Sequence, residues 1–279
     1  MSGLRAGLLE RAEALEAPPR TFSPASLILT GLVLVSYIVV MIVLGVTPGR
    51  IIAGLGRLWS IALLMLPPLP ADAEHFWTYL YALGQTLAIA FVGTSMAAVF
   101  ALPLGFLAAR NVVAGRILHF FVRRALDCVR SVDTLIWALI WINVVGLGPF
   151  AGALAIASTD VAALAKLISE AVETASKGPV EGVRAAGGGW PAVLRFGLLP
   201  QVLPVFAGQV LYFFESNTRS ATIIGIVGAG GIGLYLSEMI RVLEWHDVAF
   251  LILLVLIAVA AIDVVSRRLR AAIMGAPGS

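Results

Sequence analysis

Long apolar runs constrain this chain more than any other feature of its sequence. Residues 26–46 and 248–262 are apolar on every helical face and contain no Asp, Glu, Lys or Arg. About 20 such residues cross the hydrocarbon core of a bilayer as an α-helix, which satisfies its backbone hydrogen bonds internally. A β-barrel strand would instead alternate apolar and polar residues over about 10 positions. We therefore expect an all-α integral membrane protein.

Charged residues are scarce along the whole chain. They make up 13% of the 279 residues, whereas 60% are hydrophobic, and a soluble domain carries about 25% charged residues. This composition excludes a protein whose entire surface faces water. The basic residues are scattered through the flanks of the apolar runs and do not form one basic face, so the lipid bilayer is an expected partner and nucleic acid is not.

Breaks between the apolar runs predict about six transmembrane helices. Their expected positions are 26–46, 79–108, 132–146, 148–170, 201–222 and 247–266. The third and fourth are separated only by Gly146-Leu-Gly-Pro149, so we expect them to form an antiparallel hairpin. Arg50 and Arg57 interrupt the apolar run that follows the first helix, and segment 47–78 is therefore expected to be periplasmic or interfacial.

Arg and Lys residues are distributed unequally between the two sides of these six helices. One side receives the leader 1–25, the basic residues of segments 110–130 and 166–195, and residues 267–270, whereas the other receives only Arg50, Arg57, Arg219 and Arg241. Because basic residues concentrate on the cytoplasmic side of membrane proteins, we expect the leader, the tail 271–279 and the loop at about 171–200 to be cytoplasmic. Both termini then lie in the cytoplasm.

Prolines and glycines punctuate the loop Gly178-Pro-Val-Glu-Gly-Val-Arg-Ala-Ala-Gly-Gly-Gly-Trp-Pro191. Pro179 suits the first turn of a short helix, and the three glycines that begin at Gly187 would end it. A second short helix is predicted from Pro191 to the fifth transmembrane helix, which Pro200 opens. A short helix between two membrane spans would offer a contact to a soluble partner, and an ordinary loop with helical turns is the alternative.

This loop resembles the signature of the type I ABC importer permeases. The signature residues found here at the family's offsets are Glu181, Gly187, Leu199 and Pro200. Gly182 and Val183 stand where the family has two alanines. The resemblance implies that the loop carries a coupling helix, which contacts an ATPase subunit.

Further segments resemble the phosphonate-importer permease subfamily, and the likeness covers roughly residues 79–270, the expected permease core. The segments that carry it are 130–137, 146–149, 199–204, 214–222 and 225–233. Val132-Asp133 stands where Ile-Pro is expected in that subfamily. The leader and residues 50–70 match no part of the family pattern.

The resemblance implies a type I ABC importer permease fold in a bacterial inner membrane. It implies a second copy of the chain, two ATP-binding subunits that hold ATP and Mg²⁺, and an extracytoplasmic solute-binding protein. The implied function is ATP-driven import of a phosphonate or a related phosphorus oxyanion by alternating access. No cofactor, metal or catalytic residue is expected in this chain, whose two lysines, Lys166 and Lys177, lie outside any P-loop pattern.

A dense polar cluster interrupts the apolar residues near the expected outer end of the fifth helix. Its members are Glu215, Asn217, Arg219, Ser220 and Thr222. Glu215 and Arg219 are four residues apart, so on a helix they share a face and can form an ion pair. A guanidinium group offers paired donors to phosphorus oxyanions, which makes the cluster a candidate for the translocation pathway. An ion pair that only joins helices is the alternative.

Three other functions remain open at the level of sequence. The chain could be a permease for another small solute such as methionine, an intramembrane enzyme, or a structural subunit of a membrane complex. An enzyme would require paired catalytic groups at one depth, and Glu215 with Arg219 is the only pair of that kind. Gly228-Ala-Gly-Gly-Ile-Gly233 fits a dinucleotide-binding pattern but lacks a second βα repeat, so these glycines are expected to allow close backbone approach.

Overall fold

The computed structural model describes residues 24–112 and 115–274, and all regular elements within these ranges are helical. The α-helices are α1 (Pro24–Val43), α2 (Pro48–Leu64), α3 (Ala73–Ala108), α4 (Arg116–Arg130), α5 (Thr134–Val145), α6 (Pro149–Thr174), α7 (Lys177–Ala185), α8 (Trp190–Ala192), α9 (Leu199–Ile224), α10 (Ile232–Val242) and α11 (Trp245–Met274). Two π-helical turns, Val193–Leu198 and Gly225–Ala229, flank α9. The all-α prediction is confirmed. Most of the leader and the last residues of the tail lie outside the described ranges.

Among the residues that the structure describes, five helical segments are long and apolar enough to cross a membrane. They are α1, α3, α6, the continuous run Trp190–Ala229, and α11. The third span differs from the prediction. The helix in its place, α5, has only 12 residues, and a helix of that length rises about 18 Å, which is too short to cross the bilayer alone. It forms a pair with α4 that is bent by 88°, and this pair gives a sixth span if it counts as one broken helix.

The chain divides into two compact units, residues 1–62 and 63–279. In the first unit, α1 and α2 are joined by a short turn in which Arg50 Nη1 donates to the carbonyl of Gly45 at 3.1 Å. The helix α2 lies within segment 47–78, which was expected to be periplasmic or interfacial. Its position relative to the bilayer stays a prediction.

In the second unit, α3 and α6 pack through small residues. A Cβ atom at Gly93 would lie 2.8 Å from the side chain of Ile156, and one at Gly105 would lie 2.6 Å from that of Ile168. Because lipid supplies little hydrophobic drive for helix association, close approach at small residues is the usual way for transmembrane helices to gain van der Waals contact. These glycines therefore fix the closest helix pair of the bundle.

Two apolar clusters lie along this helix pair. The first contains Ala97, Ala101, Leu164, Ala165 and Val202, and the second contains Ile89, Ala90, Ala155, Ile156 and Ala221. Each cluster joins α3, α6 and α9. The residues between the clusters, at about positions 94, 160 and 217, are polar.

The hairpin predicted between the third and fourth spans is confirmed. Trp141 Nε1 in α5 donates to Ser158 Oγ in α6 at 2.9 Å across the turn. Gly148 adopts φ +137, and Pro149 then occupies the first turn of α6, where its missing N–H is not needed. At the other end of α5, the Asp133 carboxylate accepts from the N–H of Leu135 at 2.8 Å and caps the helix.

Candidate functional site

The predicted coupling helix is α7, and it ends at Ala185, just before the glycines that were predicted to end it. The N–H of Gly187 donates to the carbonyl of Arg184, and that of Gly188 donates to the carbonyl of Val183, each at 2.9 Å. Gly187 has φ +78, in the left-handed region. This conformation and the two hydrogen bonds together form a Schellman cap. The helix begins at Lys177, two residues before Pro179.

Charged side chains of α7 line a cavity of about 430 Å³ beside the end of α6. Lys177, Glu181 and Arg184 contribute to it from α7, and Glu173 contributes from α6. The apolar side of α7, at Val180, faces Gly197. Glu181 is exposed, so its carboxylate is available to a partner.

Pro200 lies in the first turn of α9, as predicted, but it does not begin a separate helical run. The helical run continues from Trp190 through Val193–Leu198 into α9, so Leu199 and Pro200 lie inside it. The N–H of Leu199 donates to the carbonyl of Leu194, five residues earlier. This wider π-helical turn accommodates a proline, which has no N–H and would clash with the preceding α-helical turn.

Glu215 has a partner that the sequence did not indicate. Arg270 Nη2 in α11 donates to Glu215 Oε2 at 3.0 Å, whereas Arg219 Nη1 lies 3.7 Å from Glu215 Oε1. The side chain of Glu215 is 12% exposed and that of Arg219 is 49% exposed. Arg270 therefore satisfies the carboxylate, and the guanidinium of Arg219 keeps most of its donors free.

Asn217 points away from this ion pair and into the bundle. Its side-chain N–H₂ group donates to Thr94 Oγ1 in α3 at 2.8 Å and to the Asp160 carboxylate in α6. All three side chains are buried. We call Thr94, Asp160 and Asn217 the polar node, because it joins three membrane helices at one level. Asp160 was missed at the level of sequence, although a carboxylate within an expected membrane span is a recognised functional signal.

The remaining members of the predicted cluster do not join either group. Ser220 Oγ donates to the carbonyl of Ser216 at 3.5 Å, and Thr222 Oγ1 donates to the carbonyl of Thr218 at 3.3 Å. Both are bonds within one helix, which satisfy the hydroxyl groups locally. The five residues predicted as one cluster are thus divided between two faces of α9.

The cluster lies near the C-terminal end of α9, as predicted for the fifth helix, and the side of the membrane on which this end lies stays a prediction. Asn217 contacts Asp160, which is about 17 Å from the start of α6 and about 21 Å from its end at 1.5 Å per residue. Glu215, two residues earlier, contacts Arg270 in the last part of α11. The contact of Asn217 with Asp160 thus places the last part of α9 against the middle of α6, and Glu215 lies against the last turns of α11.

The glycine-rich segment after α9 contains the π-helical turn Gly225–Ala229 and forms no strand, which excludes the dinucleotide-binding fold. A Cβ atom at Gly233 would collide with the carbonyl of Thr222, and one at Gly231 would collide with Thr86 Oγ1. Thr86 Oγ1 accepts from the N–H of Ile232 at 2.8 Å. The prediction that these glycines allow close backbone approach is confirmed.

Comparison with known proteins gives consistent matches. Residues 101–274 match the family described as binding-protein-dependent transport system inner membrane component. HtxC of Stutzerimonas stutzeri, which carries the name of a phosphite transport system permease protein, is 39% identical over 218 residues, or 78% of this chain and 76% of that protein. The phosphate-import permease protein PhnE of Mycolicibacterium smegmatis is 37% identical over 243 residues, or 87% of this chain, which spans 45% of that longer protein.

A solved structure shares the fold. The permease chain in inward-facing structures of the MetNI methionine ABC transporter superposes with a TM-score of 0.63 at 22% identity, over 72% of this chain and 99% of that one. At this identity the likeness concerns the fold alone. The helical bundle of residues 63–274 is therefore a type I ABC importer permease fold.

Proposed function

Because this chain belongs to the family of binding-protein-dependent transport inner membrane components, and is thus a membrane-spanning permease subunit of an ABC importer, we propose that its solute is a phosphonate or a related phosphorus oxyanion. The half-exposed guanidinium of Arg219, whose contact with Glu215 at 3.7 Å leaves most of its donors without a partner among the described residues, is the observation that carries this proposal. The names of the relatives, which refer to phosphite and phosphate, support the same class of solute.

The charge around Arg219 favours an anion. Glu215, Arg219 and Arg270 bring two positive charges and one negative charge together, so one positive charge is left over. A charged side chain facing lipid at the bilayer centre costs about 2.5 to 3.5 kcal/mol on the insertion scale. The exposed side of Arg219 therefore faces a water-lined pathway or a second chain.

The transport cycle follows from this arrangement. A second copy of the chain covers the face of α9 that bears Arg219, and the pathway runs between the two copies. Two partner ATPases, which hold ATP and Mg²⁺, contact α7 from the cytoplasm, and a solute-binding protein delivers the solute from the other side. The coupling surface is formed by Glu181, Gly187, Leu199 and Pro200. The protein lies in a bacterial inner membrane, with both termini in the cytoplasm.

Solute uptake tests the proposed class of solute directly. The complex is reconstituted in vesicles with its ATPase and its cognate binding protein, and methylphosphonate, phosphite, phosphate and methionine are supplied in turn. We expect ATP-dependent uptake of at least one phosphorus oxyanion and no uptake of methionine. Uptake of methionine alone would contradict the proposal and support the methionine-type alternative. Complexes without ATP provide the control.

The coupling role of α7 predicts a specific effect of Gly187→Leu. A left-handed conformation costs a residue with a side chain about 1 to 2 kcal/mol, and Cβ space at Gly187 is open within this chain. The substitution is therefore expected to weaken the end of α7 and to place a side chain in the contact with the ATPase. As a result, the ATPase dissociates from the complex, or ATP hydrolysis no longer drives solute uptake. Copurification of the ATPase, ATP hydrolysis and uptake measure these effects.

Gly187→Asn is the matched control, because Asn tolerates the left-handed region several-fold better than most residues. If the backbone conformation matters most, Gly187→Asn retains assembly and most of the uptake. If contact with the partner matters most, Asn fails as Leu does. Wild-type assembly and uptake with Gly187→Leu would show that this loop is not the coupling surface.

A further inference from the structure

A single side chain ties the start of α7 to the first turn of α9. Gln201 Oε1 accepts from the backbone N–H of Ser176 at 2.9 Å, and Gln201 Nε2 donates to the carbonyl of Ser176 at 3.2 Å. The same Nε2 donates to the carbonyl of Gly197 at 2.6 Å. The amide thus engages both backbone groups of Ser176, the residue that precedes α7, as a neighbouring β-strand would.

A second contact reinforces this attachment. A Cβ atom at Gly197 would lie 3.2 Å from the Cα atom of Val180, so the first turn of α7 rests almost directly on the backbone of the π-helical turn. Gly197 is buried. Together with the amide of Gln201, this packing fixes the beginning of α7 to residues 197–201.

The covalent connection between the far end of α7 and α8 is much more compliant. It consists of Ala186 and the three consecutive glycines that begin at Gly187, and glycine has the largest backbone freedom of all residues. If α7 and α9 were connected only through this segment, a displacement of α7 would change the backbone of the glycines and would not move α9. The direct route from α7 to α9 passes through Gln201 and the contact of Val180 with Gly197.

We propose that Gln201 is the joint through which α7 moves α9 when the ATPases engage and release it. This inference rests on the proposed coupling role of α7. Gln201 is a positioning residue that contacts neither solute nor ATP. It acts on α9, which carries Arg219 and Asn217 four to five turns further along the same helix. A change at this joint therefore reaches the middle of the bundle.

Two substitutions remove the joint from opposite sides. Gln201→Met keeps the length of the side chain and removes both the carbonyl oxygen and the N–H₂ group of its amide. Ser176→Pro removes only the N–H that donates to Gln201, and it fits the backbone, because Ser176 has φ −59 and Ala175 has the extended ψ of 143 that precedes proline readily. Ser176→Ala is the matched control, since it leaves both backbone groups of residue 176 in place.

The experiment uses the complete complex in vesicles and measures assembly, ATP hydrolysis and solute uptake. We expect Gln201→Met and Ser176→Pro to assemble and hydrolyse ATP, with about threefold to tenfold less solute imported per ATP, the factor by which one hydrogen bond shifts an equilibrium. Ser176→Ala should match the wild type. A purely structural role would lower assembly and leave the ratio of solute to ATP unchanged.

Each other outcome has a definite meaning. If Gln201→Met or Ser176→Pro imports as much solute per ATP as the wild type, the proposal that Gln201 is the joint is wrong. Loss of assembly in both variants would also contradict it, because the amide would then serve folding. The reference is whichever solute the wild-type complex imports. Failure of every phosphorus oxyanion with the wild type would contradict the proposed solute class, while the ratio measured with another imported solute would still decide the role of Gln201.

Discussion

Replacing Arg219 by Gln is expected to lower solute uptake about tenfold to hundredfold while the complex assembles normally. A hydrogen bond to a charged group contributes about 1.5 to 3 kcal/mol, and about 1.4 kcal/mol corresponds to a factor of ten. Assembly should survive because Glu215 keeps its closer partner, Arg270, at 3.0 Å. Arg219→Lys should restore uptake only in part, since an ammonium group lacks the two parallel donors of a guanidinium group.

Arg270→Gln is the matched control for this prediction. It removes the closer partner of the Glu215 carboxylate, so we expect a lower yield of the complex, in contrast to Arg219→Gln. The double variant Glu215→Gln with Arg219→Gln separates the two roles of Arg219. If it imports solute at the wild-type rate, Arg219 serves only as a partner of Glu215, and the pathway hypothesis is wrong. Uptake and complex yield of these variants decide the question.

Replacing Asn217 by Leu is expected to have the largest effect on stability. The substitution preserves volume but removes the N–H₂ group that serves both Thr94 and Asp160. A buried polar group without a partner costs about 1 to 3 kcal/mol, and here two acceptors lose their donor together. We expect a severalfold lower yield of folded protein, measured by size-exclusion chromatography after extraction in detergent.

Two companion variants define the cause of this loss. Thr218→Val changes the adjacent buried residue, whose hydroxyl donates only to Phe214 in its own helix, and it should leave the yield close to that of the wild type. Adding Asp160→Leu to Asn217→Leu should recover part of the yield, because the unsatisfied carboxyl group is then absent. No recovery in the double variant would show that the polar node is not the cause.

The helical architecture could be predicted because its signals are local. Runs of apolar residues, the turn Gly146-Leu-Gly-Pro149 and the glycines from Gly187 each act over a few positions. The glycine at φ +78 was predictable for the same reason, since only a left-handed cap explains a glycine at that point of a short helix. The third span was predicted less well, because the apolar run alone does not indicate the 88° bend between α4 and α5.

The partners within the candidate site could not be predicted, because they lie far apart along the chain. Glu215 and Arg219 satisfy the rule for helical neighbours, yet Arg270, 55 residues away, takes the carboxylate. Asn217 belongs to the same apparent cluster but faces Asp160 on another helix. Helical periodicity separates residues 215 and 217 onto different faces, and only the arrangement of α3, α6 and α11 determines what each face meets.

The polar node also restricts how the bundle can move. It lies between two clusters of apolar side chains, one on each side along α3, α6 and α9. Sliding α6 past α3 by one turn, about 5.4 Å, would bring the Asp160 carboxyl against apolar side chains and would leave Asn217 with Thr94 as its remaining acceptor. Piston-like translation of one of these helices would therefore break the polar node, and we expect the three helices to tilt together.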